Sequence, residues 1–176
     1  MQQLYTQLKQ KFVLDELTEQ RQDLAFITLE AAQLRQLILH LRDKEAYTHL
    51  VLLTAVDWIE EEKFQLTYLL SNRLAAKDLG LRVMLAREHA VMESIHDIWP
   101  TAATYQRELR EMFGIDFPDS PGVNEEFILE GWNDIPPYRR DFDTLKFSQE
   151  NFVHRPGRES KDPAQHMQEQ LYPDES

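Results

Sequence analysis

Chain breakers are spread unevenly along this sequence, and that limits the folds open to it. Before Gly114 there is one glycine, Gly80, and one proline, Pro100; all the other glycines and prolines come from Gly114 onward. A stretch so poor in turn formers must be built from regular helices and strands, since glycine and proline are the residues that most readily interrupt them. The last third carries turn chemistry at Phe117-Pro118-Asp119-Ser120-Pro121-Gly122 and two adjacent prolines, Pro136 and Pro137. The expected organisation is an α+β domain over 1–117 followed by an irregular, extended segment over 118–176.

Hydrophobic period fills in the first part. Leu4 to Lys11 can open the chain as a short helix, and Asp23 to Leu29 is apolar on both alternating faces, as in a central strand. From Glu30 to Ala46 the period changes, with Ala31, Leu34, Leu37, Ile38 and Leu41 at helical spacing. Leu50 to Trp58 is a second two-sided strand, Glu60-Glu61-Glu62 a hairpin turn, and Phe64 to Leu70 its alternating partner. Leu81, Val83 and Leu85 form a further strand. Val91, Ile95 and Ile98 predict a short helix ended by Pro100. Thr101 is placed to cap a last helix that runs to Phe113 and stops at Gly114. These elements predict a mixed sheet of about four strands, covered by helices so that both faces of the two central strands are buried.

Composition removes several functions. The chain of 176 residues has a net charge of −12 and no cysteine. A field of that sign repels phosphate backbones, so no nucleic-acid partner is expected. Without cysteine there is no disulfide, thiolate zinc site, cysteine-ligated iron–sulfur cluster or cysteine nucleophile. His40, His49, His89, His96, His154 and His166 never pair at a spacing that puts two ligands on one helix face, and the acidic run 60–62 reads as a solvated turn. No G-x-S-x-G, G-x-G-x-x-G or P-loop occurs. No catalytic, cofactor or metal residue is expected. The longest apolar run, Leu50 to Val56, falls far short of the ~20 residues that span a bilayer as a helix. The N-terminus has neither the basic nor the apolar region of a secretory signal.

The last third is nevertheless rich in anchors: Phe117, Phe127, Ile128, Leu129, Trp132, Tyr138, Phe142, Leu145, Phe147 and Phe152. Only Arg155 to Ser176 is poor in apolar side chains. An irregular segment with so many anchors is expected to lie across another protein's surface.

Two charged-aromatic clusters stand out. One is Gln106-Arg107-Glu108-Leu109-Arg110-Glu111-Met112-Phe113-Gly114-Ile115-Asp116-Phe117; the other is Pro137-Tyr138-Arg139-Arg140-Asp141-Phe142. Each alone could be no more than exposed ion pairs worth tenths of a kcal/mol. In this order they resemble the signature of the 30 kDa subunit family of respiratory complex I, NADH:quinone oxidoreductase, approximately E-R-E-x-x-D-x-F/L-G-I-x-F followed by P-L-R-K-D-F. Val56-Asp57-Trp58, the strand Phe64 to Ser71, and Ser94-Ile95-His96-Asp97-Ile98-Trp99 resemble further pieces of that family, so the likeness runs from about residue 50 to about 145. Gln106 replaces the usual first Glu and Ser120 the usual histidine. The stretch from Phe127 to Phe142 looks more like the branch found in membrane-bound energy-converting nickel-iron hydrogenases.

The resemblance implies a non-catalytic structural subunit of the hydrophilic arm, held peripherally on the cytoplasmic face of the cell membrane. Its partners would be the large catalytic subunit, of the complex I 49 kDa or hydrogenase large-subunit type, and iron–sulfur subunits. Iron–sulfur clusters, and flavin or nickel-iron where present, would sit in those partners, and contact with the membrane would come only through them. The implied assembly residues are Arg107, Glu108, Glu111, Phe113, Gly114, Ile115, Pro137, Arg139, Arg140, Asp141 and Phe142. Arg107 and Arg139 or Arg140 suit bidentate pairing with carboxylates. Pairing with Glu108 and Asp141 inside the subunit, joining helix to tail, is expected over pairing across the interface. The hydrogenase-type subunit is the alternative function. An acidic adaptor or chaperone, and a small hydrolase with an unmarked site, are the readings from other classes.

Overall fold

The computed structural model describes residues 1–152, so the expectations for Arg155 to Ser176 and for His154 and His166 lie outside the described residues. In chain order the elements are α1 (Gln2–Leu8), β1 (Leu14–Arg21), β2 (Leu24–Leu29), α2 (Ala31–Lys44), β3 (His49–Trp58), a 3-10 turn (Ile59–Glu61), β4 (Lys63–Asn72), β5 (Lys77–Ala86), α3 (Ala102–Phe113) and α4 (Thr144–Asn151). The sheet order is β1-β2-β5-β4-β3. Only the β2–β5 pair is parallel; the other pairs are antiparallel.

The core lies on one face of this sheet. Ala25, Ile27 and Leu29 of β2, Leu79, Leu81, Val83 and Leu85 of β5, and Phe64, Leu66, Tyr68 and Leu70 of β4 are all buried there. They meet Leu34, Leu37, Ile38 and Leu41 of α2 and Leu109, Met112 and Phe113 of α3. Gly80 sits mid-strand because Phe26, its neighbour on β2, lays its ring where a Cβ would project. Gly114 ends α3 in the left-handed region at φ +79, with its N–H on the Arg110 carbonyl, a conformation that costs glycine nothing.

The structure corrects the sequence reading in four places. The sheet has five strands rather than about four, because β1, Leu-Asp-Glu-Leu-Thr-Glu-Gln-Arg, buries only Leu14 fully. It is an edge strand, where charge guards against stray pairing, and its polarity hid it. Val91 to Ile98 forms no helix; Val91 bridges Asp116, and Met92, Ile95 and Ile98 are buried from an irregular path. Thr101 stands at the N-cap of α3, yet its side chain makes no capping bond. Within the first unit α2 and α3 pack on one sheet face, and Val56 and Trp58, on the other face of β3, are 44% and 41% exposed.

Packing ends the first compact unit at Phe142, so residues 118–142 belong with the sheet domain. In the second unit α4 is capped by Asp143, whose side chain accepts the Lys146 N–H at 2.9 Å. Phe147 and Phe152 meet edge to face there, and none of α4 is buried.

Candidate functional site

Both charged clusters gather around the returning segment 118–142. From α3, the Glu111 carboxylate accepts the N–H groups of Phe127 at 2.6 Å, Ile128 at 2.9 Å and Leu129 at 3.3 Å. Three successive amides wrapped on one anion form a nest, which converts the irregular Phe127–Leu129 backbone into a ligand for the helix. At the end of α3 the Met112 carbonyl takes the Tyr138 N–H at 3.0 Å, and the Tyr138 ring meets Phe113 edge-on at 5.7 Å. Gly114 then turns the chain and Ile115 buries fully. Arg107 lies over the Phe127 ring at 5.2 Å, with Glu125 a loose 3.8 Å away. Its Nε is buried without a partner. Glu108 is half-buried, and among the described residues it pairs with neither Arg107 nor Arg139 nor Arg140.

The second cluster closes on the sheet. Asp57 ends the buried stripe of β3 and Arg87 follows the buried stripe of β5, so the two flank Phe64 at one end of the core face. The Arg87 fork grips Asp57 through Nε to Oδ1 at 2.9 Å and Nη2 to Oδ2 at 3.0 Å. Arg87 Nη2 also donates to Asp141 Oδ1 at 2.6 Å, and the Arg140 N–H donates to Asp57 Oδ2 at 2.8 Å. Arg139 forks onto the same Asp141 at 3.2 and 3.1 Å, while the Arg140 guanidinium reaches out to Glu60. Pro136 and Pro137 stiffen the approach. Phe142 packs edge-on against Trp132.

The chain of charges Asp57–Arg87–Asp141–Arg139 has a consistent electrostatic signature. The Arg87 guanidinium is pushed well above the usual arginine range, chiefly by its hydrogen bond to Asp57, with burial opposing. Burial works against the ionised form of Asp141, but the hydrogen bonds from Arg139 and Arg87 outweigh it and hold that carboxyl down at about 2. Glu60 is lowered by its bond from Arg140. Arg87 and Asp141 are thus held in their charged forms, and hydrogen bonds link all four groups, which suits a latch rather than a proton-transfer site.

Elsewhere on α3, Gln106 is fully buried. Its Oε1 accepts the Ser94 hydroxyl at 2.8 Å and the Ser120 hydroxyl at 2.7 Å, tying α3 to two irregular segments. Sequence reasoning missed Arg87 altogether. The signal was present: the period-two stripes Leu53, Ala55, Asp57 and Leu81, Val83, Leu85, Arg87 each run from the core into a charge, and the charges are opposite. It missed Glu60 as the partner of Arg140 as well. Among the described residues no cluster of three His, Asp or Glu is placed to hold a metal ion, and no helix is long and apolar enough to cross a membrane.

The fold of this α+β sheet domain is already known from a chain of an archaeal respiratory membrane complex. With a TM-score of 0.80 and 24% identity it matches, over 92% of this chain and 96% of that one, a chain in the structure of the membrane-bound sulfane sulfur reductase, an archaeal respiratory membrane complex. A trypsin-resistant fragment of Nqo5 matches with a TM-score of 0.58 and 17% identity, over 68% of this chain and 96% of that one. Residues 27–148 match the family model of the respiratory-chain NADH dehydrogenase 30 Kd subunit, and the chain belongs to that family. Among its relatives are the NADH-quinone oxidoreductase C subunit of Moorella thermoacetica, 29% identical over 68% of this chain and 80% of that one, and the C subunit of Rhodobacter capsulatus, 32% identical over 69% and 61%. The C/D 2 subunit of Aquifex aeolicus is 29% identical over 62% of this chain, which corresponds to 18% of that protein.

Proposed function

We propose that this chain is a non-catalytic structural subunit in the hydrophilic arm of a complex I-like membrane oxidoreductase, docked on the large catalytic subunit and supporting electron transfer to quinone or an equivalent acceptor. One observation carries this reading. The return segment is latched to its own domain by buried charges on its inner side, and it presents Ile128, Ile135 and Tyr138 outward at 67%, 40% and 57% exposure. A free-standing protein gains nothing from organising apolar anchors into solvent, whereas an assembling subunit needs them held in place before its partner arrives. The Aquifex relative supports the choice of partner, because that C/D protein joins a segment like this one to a much longer remainder. Iron–sulfur clusters, and flavin or nickel-iron where present, would belong to the neighbouring subunits, and the chain would be peripheral on the cytoplasmic face of the membrane through them.

The test replaces Ile128 and Ile135 together by serine, leaving Tyr138 in its contact with Phe113, and recovers the complex from membranes through a tag on this chain. The isolated variant should unfold within about 0.5 kcal/mol of wild type, as exposed substitutions do. Recovery of the large subunit should be lost. Normal assembly of the variant would overturn the docking surface, and a wild-type chain recovered from cells without membrane subunits would overturn the function. A second reading, the equivalent subunit of an energy-converting complex with another acceptor, is favoured by the fold match over 92% of the chain to the archaeal sulfane sulfur reductase chain. Nickel-ligating cysteines in the co-purified large subunit would mark the hydrogenase branch.

A further inference from the structure

The side of the sheet opposite α2 and α3 holds a cation that no carboxylate among the described residues pairs. Arg82 lies on β5, the middle strand, between Thr28 of β2 and Thr67 of β4. Its guanidinium carbon stands 4.0 Å from the centre of the Phe26 ring, which itself covers Gly80. Over the ring in this way the side chain is half-buried, and its Nε is shielded from solvent with no hydrogen-bond partner. No carboxylate among the described residues pairs with it, in a chain where acids outnumber bases 31 to 19. Leu52, Leu69 and Met84 lie half-buried on the same face, and Val56 and Trp58 are exposed. On β4 and β5 the other charges of this face, Lys63 and Asp78, stand at opposite ends of the strands, and the remaining ones, Glu16 and Arg21, lie on the edge strand β1, two strands away.

A half-desolvated guanidinium without a counter-ion weakens the isolated fold, because it loses water and gains the Phe26 ring but no hydrogen-bond acceptor. Such a group becomes favourable once an acid is brought to it in an apolar setting. We propose that this open sheet face is a second docking surface, on which a neighbouring subunit seats a carboxylate, ringed by apolar side chains, against Arg82. This rests on the reading of the chain as a subunit of a larger assembly. A second copy of the chain fits poorly, since a two-fold pairing centred here would set Arg82 against Arg82 with no acid between them.

The test uses the full chain and the complex recovered from membranes. Hydroxyl-radical oxidation of Met84 and Trp58 should fall at least about fivefold in the complex relative to the isolated chain, as their side chains leave solvent. Arg82→Met should leave the unfolding midpoint of the isolated chain equal to or above that of wild type, yet lower recovery of the complex by about tenfold or more. Arg82→Lys keeps the charge and should retain part of that recovery. In the Arg82→Lys complex, carbodiimide should join residue 82 to an Asp or Glu of a neighbouring subunit. Equal oxidation in both states, or wild-type recovery of Arg82→Met, would overturn the inference while leaving the subunit function standing. Protection already complete in the isolated chain would assign the face to the chain's own residues, and protection that grows with its concentration would assign it to a second copy; both results overturn it. If the wild-type chain recovers no membrane subunits, both readings fall.

Discussion

Replacing Arg87 by methionine tests the latch most directly, because the change keeps a long side chain over Phe64 and removes only the guanidinium. The Asp57 side chain is 2% exposed and that of Arg87 14%, so in Arg87→Met the carboxylate stays buried with one remaining donor, the Arg140 N–H. Stranding one half of a buried pair costs about 3–5 kcal/mol. The bond to Asp141 adds little, since that carboxylate is a third exposed and keeps Arg139. With a urea dependence of about 2 kcal/mol per molar, the unfolding midpoint should drop by roughly 1.5–2.5 M. Asp57→Asn in the same background removes the stranded charge and still accepts the Arg140 N–H, so the double variant should regain about half of the loss. With Asp57→Asn alone costing about 1 kcal/mol, since Arg87 keeps Asp141, the coupling energy of the cycle should then be about 3 kcal/mol. A loss below about 1 kcal/mol, or strictly additive single effects, would show that this pair does not hold the return segment to the sheet.

Asp141 makes the latch acid-sensitive. Its carboxyl titrates lower folded than unfolded, so it adds stability above about pH 4 that fades as pH falls toward 2; discounted for its exposure, this is about 1 kcal/mol, and Asp141→Asn should flatten urea stability against pH across that window. Glu111→Ala strips the anion from the Phe127–Leu129 amides at a cost of about 1.5–3 kcal/mol, and hydrogen exchange at those three amides should accelerate well before the sheet amides change; uniform exchange would argue against the nest. Gly80→Ala drives a methyl into the Phe26 ring, so thermal unfolding should fall by several degrees, and Phe26→Ala in the same chain should remove most of that penalty; an additive pair would refute the contact.

The two halves of the molecule were legible to different degrees for a physical reason. In β2, α2, β4 and β5 the apolar period reports directly which side faces the core, so local pattern suffices. The pattern failed for β1, which buries almost nothing, and for 91–98, where Met92, Ile95 and Ile98 fill the core without hydrogen bonds that repeat. At the site, the charged clusters could be found but not matched. Arg139 meets Asp141 two residues away, whereas Arg140 takes Glu60, 80 residues distant, and Arg107 stacks on Phe127 rather than joining Glu108.

By itself, then, the sequence determined the helices and most strands, the stop at Gly114 and the kinship with respiratory-chain subunits, because each is written in local period or in ordered motifs. Tertiary structure decided the rest. Insertion of β5 between β2 and β4 brings Arg87 beside Asp57, 30 residues earlier, and leaves it facing Asp141, 54 residues later. The same topology puts α2 and α3 on one side of the sheet and Arg82 on the other. Neither can be read locally, since a buried charge is satisfied by whatever the fold carries to it, and sequence distance does not record that.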